Sequence, residues 1–324
     1  MPVASFDLDL EPASLDDAAL VADLDLRRNP DADADPARMR HWWARSLAHG
    51  PARRLVAKRD GKAIAFAGVG HDHWTDGSKR YGWTRVAIDP QLWTEQRFRE
   101  LLAGSEDWLR SEGAEAVLLR VDDRFTREVE LANRLGYTEG RRARVSELDI
   151  AGGREQLMAT RERCRKEMAA QRVTMHTLVD DADPDLYKKL YAMTVETEQD
   201  IPTTVPLVVL PFEQWMGSWF DDPGVHRDRF WIAREGDDVI GVSVLDYPVA
   251  RGFPFTNYTA TARKARGRGI AKALKYETIA QAADLGFTRI RTQNDGDNAP
   301  MLHINDAMGY KPVHYMLELK RDLT

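Results

Sequence analysis

Apolar and polar residues alternate from Thr256 to Ala262, as on a strand with one buried face, and from Ile270 to Leu285 the apolar residues recur with a helical period. The same patterning gives two hairpins. Residues 54–61 and 230–237 each run an apolar strand into a turn, followed by second strands from Ala63 to Val69 and from Val239 to Leu245. Trp108 to Gly113 and Ala282 to Gly286 each end a helix at glycine before a strand begins. Leu135-Gly136-Tyr137 and Met308-Gly309-Tyr310 each close a helix ahead of the strands Arg144 to Ile150 and His314 to Lys320. The partners in these pairs lie 173 to 176 residues apart, which marks a tandem duplication. Each half reads strand, helix, hairpin, strand, helix, strand, helix, strand, so the expected class is α/β with a mixed sheet in each repeat. Ala151-Gly152-Gly153 sets the expected boundary, giving domains 1–150 and 151–324.

Composition narrows the partners. A length of 324 residues with 43% hydrophobic positions suffices for two buried cores, and the net charge of −6 offers no global field for nucleic acid, which is therefore disfavoured as a partner. Cys164 is the single cysteine, so no internal disulfide forms and a reducing cytoplasm is expected. Met1 to Leu20 is acidic and lacks the apolar segment of a secretory signal, and no stretch reaches the roughly 20 apolar residues of a membrane span. The acidic run from Asp7 to Asp35 and the basic helix from Arg154 to Arg172, with Arg161, Arg163 and Arg165, read as solvated surface.

Between strand and helix stands Arg266-Gly267-Arg268-Gly269-Ile270-Ala271. Gly267 and Gly269 let the backbone turn sharply and aim amide N–H groups at a ligand, and the following helix adds the positive end of its dipole. Arg263, Lys264, Arg266, Arg268, Lys272 and Lys275 place positive charge around it, as a diphosphate requires. Thr256 to Pro312 resembles the acetyl-coenzyme A binding region of the Gcn5-related N-acetyltransferases (GNAT), with Lys264 where that family usually has Arg or Gln. The resemblance implies two tandem GNAT-like domains, each a mixed, mostly antiparallel sheet flanked by helices. It implies that acetyl-CoA or another acyl-CoA is the acyl donor and a small-molecule amine the acceptor. Ala260, Thr261 and Ala262 would then meet the pantetheine arm, Lys264 and Arg266 to Ala271 the diphosphate, and Asn294 and Asn298 the thioester end.

The first half resembles the same fold without its site. Residues 88–102 align with 261–275 but contain no glycine; Thr94 and Gln96 replace Gly267 and Gly269. One coenzyme A per chain is expected, and two fused similar halves favour a monomer.

Acyl transfer to an amine needs a base, oxyanion stabilisation and protonation of the leaving thiolate. Many relatives protonate the thiolate with a tyrosine four residues before the final Gly-aromatic pair; here Asn305 holds that position. Glu196 and Asp200, ahead of a loop with Pro202, Pro206 and Pro211, are the candidates for acceptor recognition, and Asp246, after the strand ending at Leu245, is a further candidate base. His303 is a weaker one. His71 and His73 share a strand face without a third ligand, so no metal is expected, and Trp215 with Trp219 reads as core. Other readings stay open: a mycothiol synthase-like acetyltransferase, a transferase using another donor such as an aminoacyl-tRNA, or a non-catalytic acyl-CoA sensor.

Overall fold

The computed structural model describes residues 8–74, 78–205 and 207–323; Pro206 and residues 1–7 lie outside the described residues. It divides into two compact units. The first holds the chain up to Arg142 together with 249–252 and the segment from His314 onward, and the second holds Ala143–Pro248 and Phe253–Val313.

In chain order the first repeat contains β1 (Leu10–Pro12), α1 (Ala18–Arg28), α2 (Pro36–His49), β2 (Ala52–Arg59), β3 (Lys62–Gly70) and β4 (Tyr81–Ile88). It continues through α3 (Glu95–Ser111), β5 (Ala116–Asp122), α4 (Thr126–Arg134) and β6 (Thr138–Asp149). The second repeat runs α5 (Ile150–Ala170), β7 (Val173–Thr177), α6 (Leu186–Glu198), α7 (Phe212–Phe220), β8 (Phe230–Glu235) and β9 (Asp238–Asp246). It ends with β10 (Phe255–Thr261), α8 (Ile270–Asp284), β11 (Arg289–Asp295), α9 (Ala299–Met308) and β12 (Lys311–Asp322). The hairpins, the strand-loop-helix unit and the glycine-ended helices fall where the patterning puts them. Two helices, not one, separate the first strand of each repeat from its hairpin.

Within the first unit the strands lie in the order β1-β2-β3-β4-β5-β12, and within the second β6-β11-β10-β9-β8-β7. In each sheet one inner pair is parallel (β4 with β5, β10 with β11) and the other pairs are antiparallel. The mixed α/β class is thus observed in both units. The last strand of each repeat, however, completes the other unit's sheet: β12 pairs with β5 from Met316↔Asp122 to Asp322↔Ala116, and β6 pairs with β11 from Arg289↔Asp149 to Asp295↔Ala143. A cut at 150/151 therefore differs from the units, because 143–150 fold with the second and 249–252 and the C-terminal strand with the first. Glu147 on β6 fixes this placement by accepting from Arg291 Nε at 2.8 Å.

Each unit has its own core. In the second, Leu274, Ile279, Ile240, Val242, Ile290 and Tyr310 are buried together with Leu157, Cys164 and Met168 of α5, each large aliphatic contributing roughly 1.5–3 kcal/mol. The basic helix is part of this packing. Arg161 and Arg165 both donate to the fully buried carboxylate of Glu277 on α8, at 2.8 and 2.6 Å, so these two arginines are structural cations and not a solvated or RNA-binding face. Cys164 is buried and its thiol pushed up by desolvation, as suits a structural residue. Asp35, in the acidic run, is buried too: it caps α2 through the N–H groups of Ala37 and Arg38 and also accepts from Ala250 at 2.6 Å. Among the described residues no helix is long and apolar enough to cross a membrane.

Candidate active site

In the second unit β10 and β11 are paired only at Phe255↔Arg291 and Thr256↔Thr292, and beyond these they part. Just past this point Asn257 is the extra residue of a β-bulge, since the register against β9 slips between Thr256↔Leu245 and Tyr258↔Val244. The fork and the bulge leave backbone groups of β10 facing a cleft instead of a neighbouring strand. The equivalent strands of the first unit part later and without a bulge: β4 and β5 hold four successive pairs, Tyr81↔Ala116 to Thr84↔Leu119, and β4 runs against β3 with no slip.

The helices that follow differ in the same sense. Gly269 is the N-cap of α8 with φ 84°, Gly267 has φ 77°, and no side chain caps the helix. A Cβ at Gly267 would meet nothing within 4 Å, so glycine is required there by conformation and not by crowding. The first-turn N–H groups of α8 are left facing the cleft with the helix dipole behind them. At α3 the corresponding donors are already used, Thr94 Oγ1 accepting from Arg97 N at 3.2 Å while the Arg97 guanidinium folds back on Leu92 O at 2.6 Å.

The fork opens into a cavity of about 840 Å³, toward the large end for ligand sites. Of the residues expected to hold the donor, Ala260, Thr261, Arg266, Gly267, Gly269, Ile270, Ala271, Asn294 and Asn298 line it. Ala262 is buried beside it, while Lys264 pairs with Asp238 and Arg268 with Glu235 at 2.9 Å. The loop cations are thus already matched to carboxylates. Asp200 bridges Arg263 and Arg266, which hold its carboxyl down to about 2, and Glu196 accepts the backbone N–H of Arg263 at 2.7 Å.

The remaining candidates take up supporting positions. Asp246 is buried under the bulge and accepts from Asn257 Nδ2 at 3.2 Å. Asn305, also buried, donates through Nδ2 to Asn294 Oδ1 at 2.6 Å from outside the cavity lining, and Asn298 caps α9 through Met301 N at 3.3 Å. His303 lines the cavity. His71 lies in the first unit, stacked on Trp74 with ring centroids 3.9 Å apart, and no group of metal-ligating side chains occurs among the described residues.

Residues the pattern did not single out stand beside the cleft. Tyr258, just past the bulge, lines the cavity and shares a 2.8 Å hydrogen bond with Thr197. Trp219 packs edge-on against Tyr258 and hydrogen-bonds Glu198, the half-buried carboxylate near the end of α6, whose pKa is raised by burial. Lys275, expected among the solvent-facing cations around the glycine loop, is instead wholly buried on the second turn of α8, where it lines the cavity. Only the third dimension reveals Glu198, which sits in a run of acidic residues with no mark of its own.

The fold is that of a tandem GNAT-type acetyltransferase. The acetyltransferase (GNAT) family model matches the chain twice, at residues 18–137 and 184–310, and the chain belongs to that family. It is similar in fold to a GCN5-related N-acetyltransferase from Sphaerobacter thermophilus (19% identity, TM-score 0.66, covering 97% of this chain and 95% of the other). It is similar also to a tandem GNAT protein from the clavulanic acid biosynthesis pathway (15% identity, TM-score 0.69, covering 98% and 99%) and to FemX (11% identity, TM-score 0.60, covering 97% of each). No curated protein sequence matches it significantly.

Proposed function

We propose that this chain is an N-acyltransferase in which the second repeat alone moves an acyl group from a coenzyme A thioester to the amine of a small molecule by direct attack. The observation that carries this reading is the parting of β10 from β11 after Thr256, next to the bulge at Asn257 and the uncapped helix start at Gly269. The amide groups along Tyr258 to Thr261 serve a pantetheine arm as a neighbouring strand would. The loop N–H groups and Arg266 hold the diphosphate, for which Asp200 stands in, and Arg268 and Lys264 lie within reach once they release Glu235 and Asp238.

Bound there, an acyl-CoA supplies an activated thioester carbonyl at the fork. Glu198, made a stronger base by the burial that raises its pKa above the usual glutamate value, takes the proton of the attacking amine directly or through water. Asp246 steadies Asn257, and with it the bulge backbone that faces the developing oxyanion. Asn305 positions Asn294. Ile201 and Pro202 line the mouth where the acceptor enters.

The test is thiol release by the full chain with acetyl-CoA and a panel of small amines. Amine-dependent release, abolished by Gly269→Val, supports the reading; tight acyl-CoA binding with no release for any amine would favour a sensor.

A further inference from the structure

At the floor of the fork stands an amine with no hydrogen-bond partner. Lys275 is 0% exposed and its Nζ has no hydrogen-bond partner, although it borders the cavity. Its neighbour is Tyr310, whose ring centroid lies 5.1 Å from Nζ and whose buried hydroxyl lies near Thr256, one half of the last β10–β11 pair. The amine therefore sits where the strands begin to part, beyond the stretch Tyr258 to Thr261 and at the end of the cleft away from the glycine loop. No carboxylate of its own helix serves it. Glu277 is two residues along, on another face of α8, and is occupied by Arg161 and Arg165.

We propose that Lys275 reads the far end of the acyl group, and that the preferred donor is the coenzyme A thioester of a dicarboxylic acid, such as malonyl- or succinyl-CoA, whose free carboxylate pairs with this amine. The inference rests on the acyl-CoA reading above and names its substrate class. Once protonated, a lysine head carries three donors and no acceptor, so only an oxygen-rich partner satisfies it. An acetyl or longer alkyl group brings no such oxygen and leaves the amine buried and unmatched, at a cost of several kcal/mol if charged. A carboxylate supplies charge-assisted hydrogen bonds in a site already stripped of water. Burial holds the amine at about 7 in the empty cleft, so a carboxylate arriving at pH 8 draws a proton onto it.

Calorimetry on the full chain at pH 8, in two buffers of different ionisation enthalpy, tests this with coenzyme A, acetyl-, butyryl-, malonyl- and succinyl-CoA. The expected result is at least about tenfold tighter binding of malonyl- or succinyl-CoA than of acetyl- or butyryl-CoA, with uptake of about one proton. Lys275→Met and Lys275→Gln should both lose the preference and the proton uptake while binding coenzyme A as before. Equal affinities for all four thioesters, or an equal loss for all of them in both variants, would overturn the role of Lys275 and leave the acyl-CoA reading standing. Failure of the unaltered chain to bind any thioester or coenzyme A would overturn that reading as well.

Discussion

Asp200 grips Arg263 through two hydrogen bonds, of 2.6 and 3.1 Å, and the same carboxylate reaches Arg266 in the cofactor loop. An anion thus already occupies the place where the loop would receive a diphosphate. Asp200→Asn should tighten coenzyme A binding about two- to fivefold at low salt, the range expected for an exposed ion pair, and the gain should fade as salt rises. Glu196→Ala should do the opposite, because Glu196 holds the loop backbone itself at Arg263 N. Titration calorimetry at two ionic strengths separates the two, and a weaker binding in Asp200→Asn would refute the competition.

Gly267→Ala and Gly269→Ala place a Cβ on residues at φ 77° and 84°. Each should cost about 1–2 kcal/mol of stability and lower coenzyme A affinity more than tenfold, since the strain is relieved by moving the N–H groups that bind. Thr94→Ala in the first unit should leave both affinity and a stoichiometry of one unchanged. Melting curves and calorimetry read these outcomes.

Glu198→Gln should lower kcat by about 10²–10⁴ with little change in the KM for acyl-CoA. Burial raises the Glu198 pKa above the usual glutamate value, so the unaltered chain should gain activity as pH rises through an acidic limb shifted toward neutrality. A pH–rate profile unchanged in Glu198→Gln would reassign the base.

Lys275 also sets a pH dependence of stability. Its pKa falls from 10.5 to about 7 on folding, so below pH 7 both states are protonated and the buried charge is opposed in full. Between about 7 and 10.5 the unfolded chain binds the extra proton, and stability rises with pH by up to about 1.4 kcal/mol per unit. Denaturant unfolding should show Lys275→Met most stabilised relative to the unaltered chain near pH 6.5 and losing that advantage toward pH 10.

Much of this was legible from the order of residues. The hairpins, the loop and its glycines announce themselves because turns and local periods are properties of neighbouring residues; the absence of glycine at Thr94 and Gln96 was legible too, though not the side-chain cap that Thr94 gives α3. What depends on distant segments was hidden. Alternation at Arg144 to Ile150 and His314 to Lys320 reveals strands but not which sheet takes them. Glu198 looks like an ordinary helix-end charge until Trp219 is seen against it, Lys275 reads as one more loop cation until its burial beside Tyr310 is seen, and Asp200 reads as an acceptor-binding acid until Arg263 and Arg266 close on it.

The exchange of last strands governs how such a chain comes into being. The edge of β5 is covered by residues 316–322, almost two hundred positions later, so during synthesis the first unit waits with an open strand edge until nearly the whole chain has left the ribosome. The second unit's sheet has all its strands once β11 is made, the first only after β12, and a gene split at the apparent repeat boundary would yield two incomplete halves, each in need of the strand the other carries.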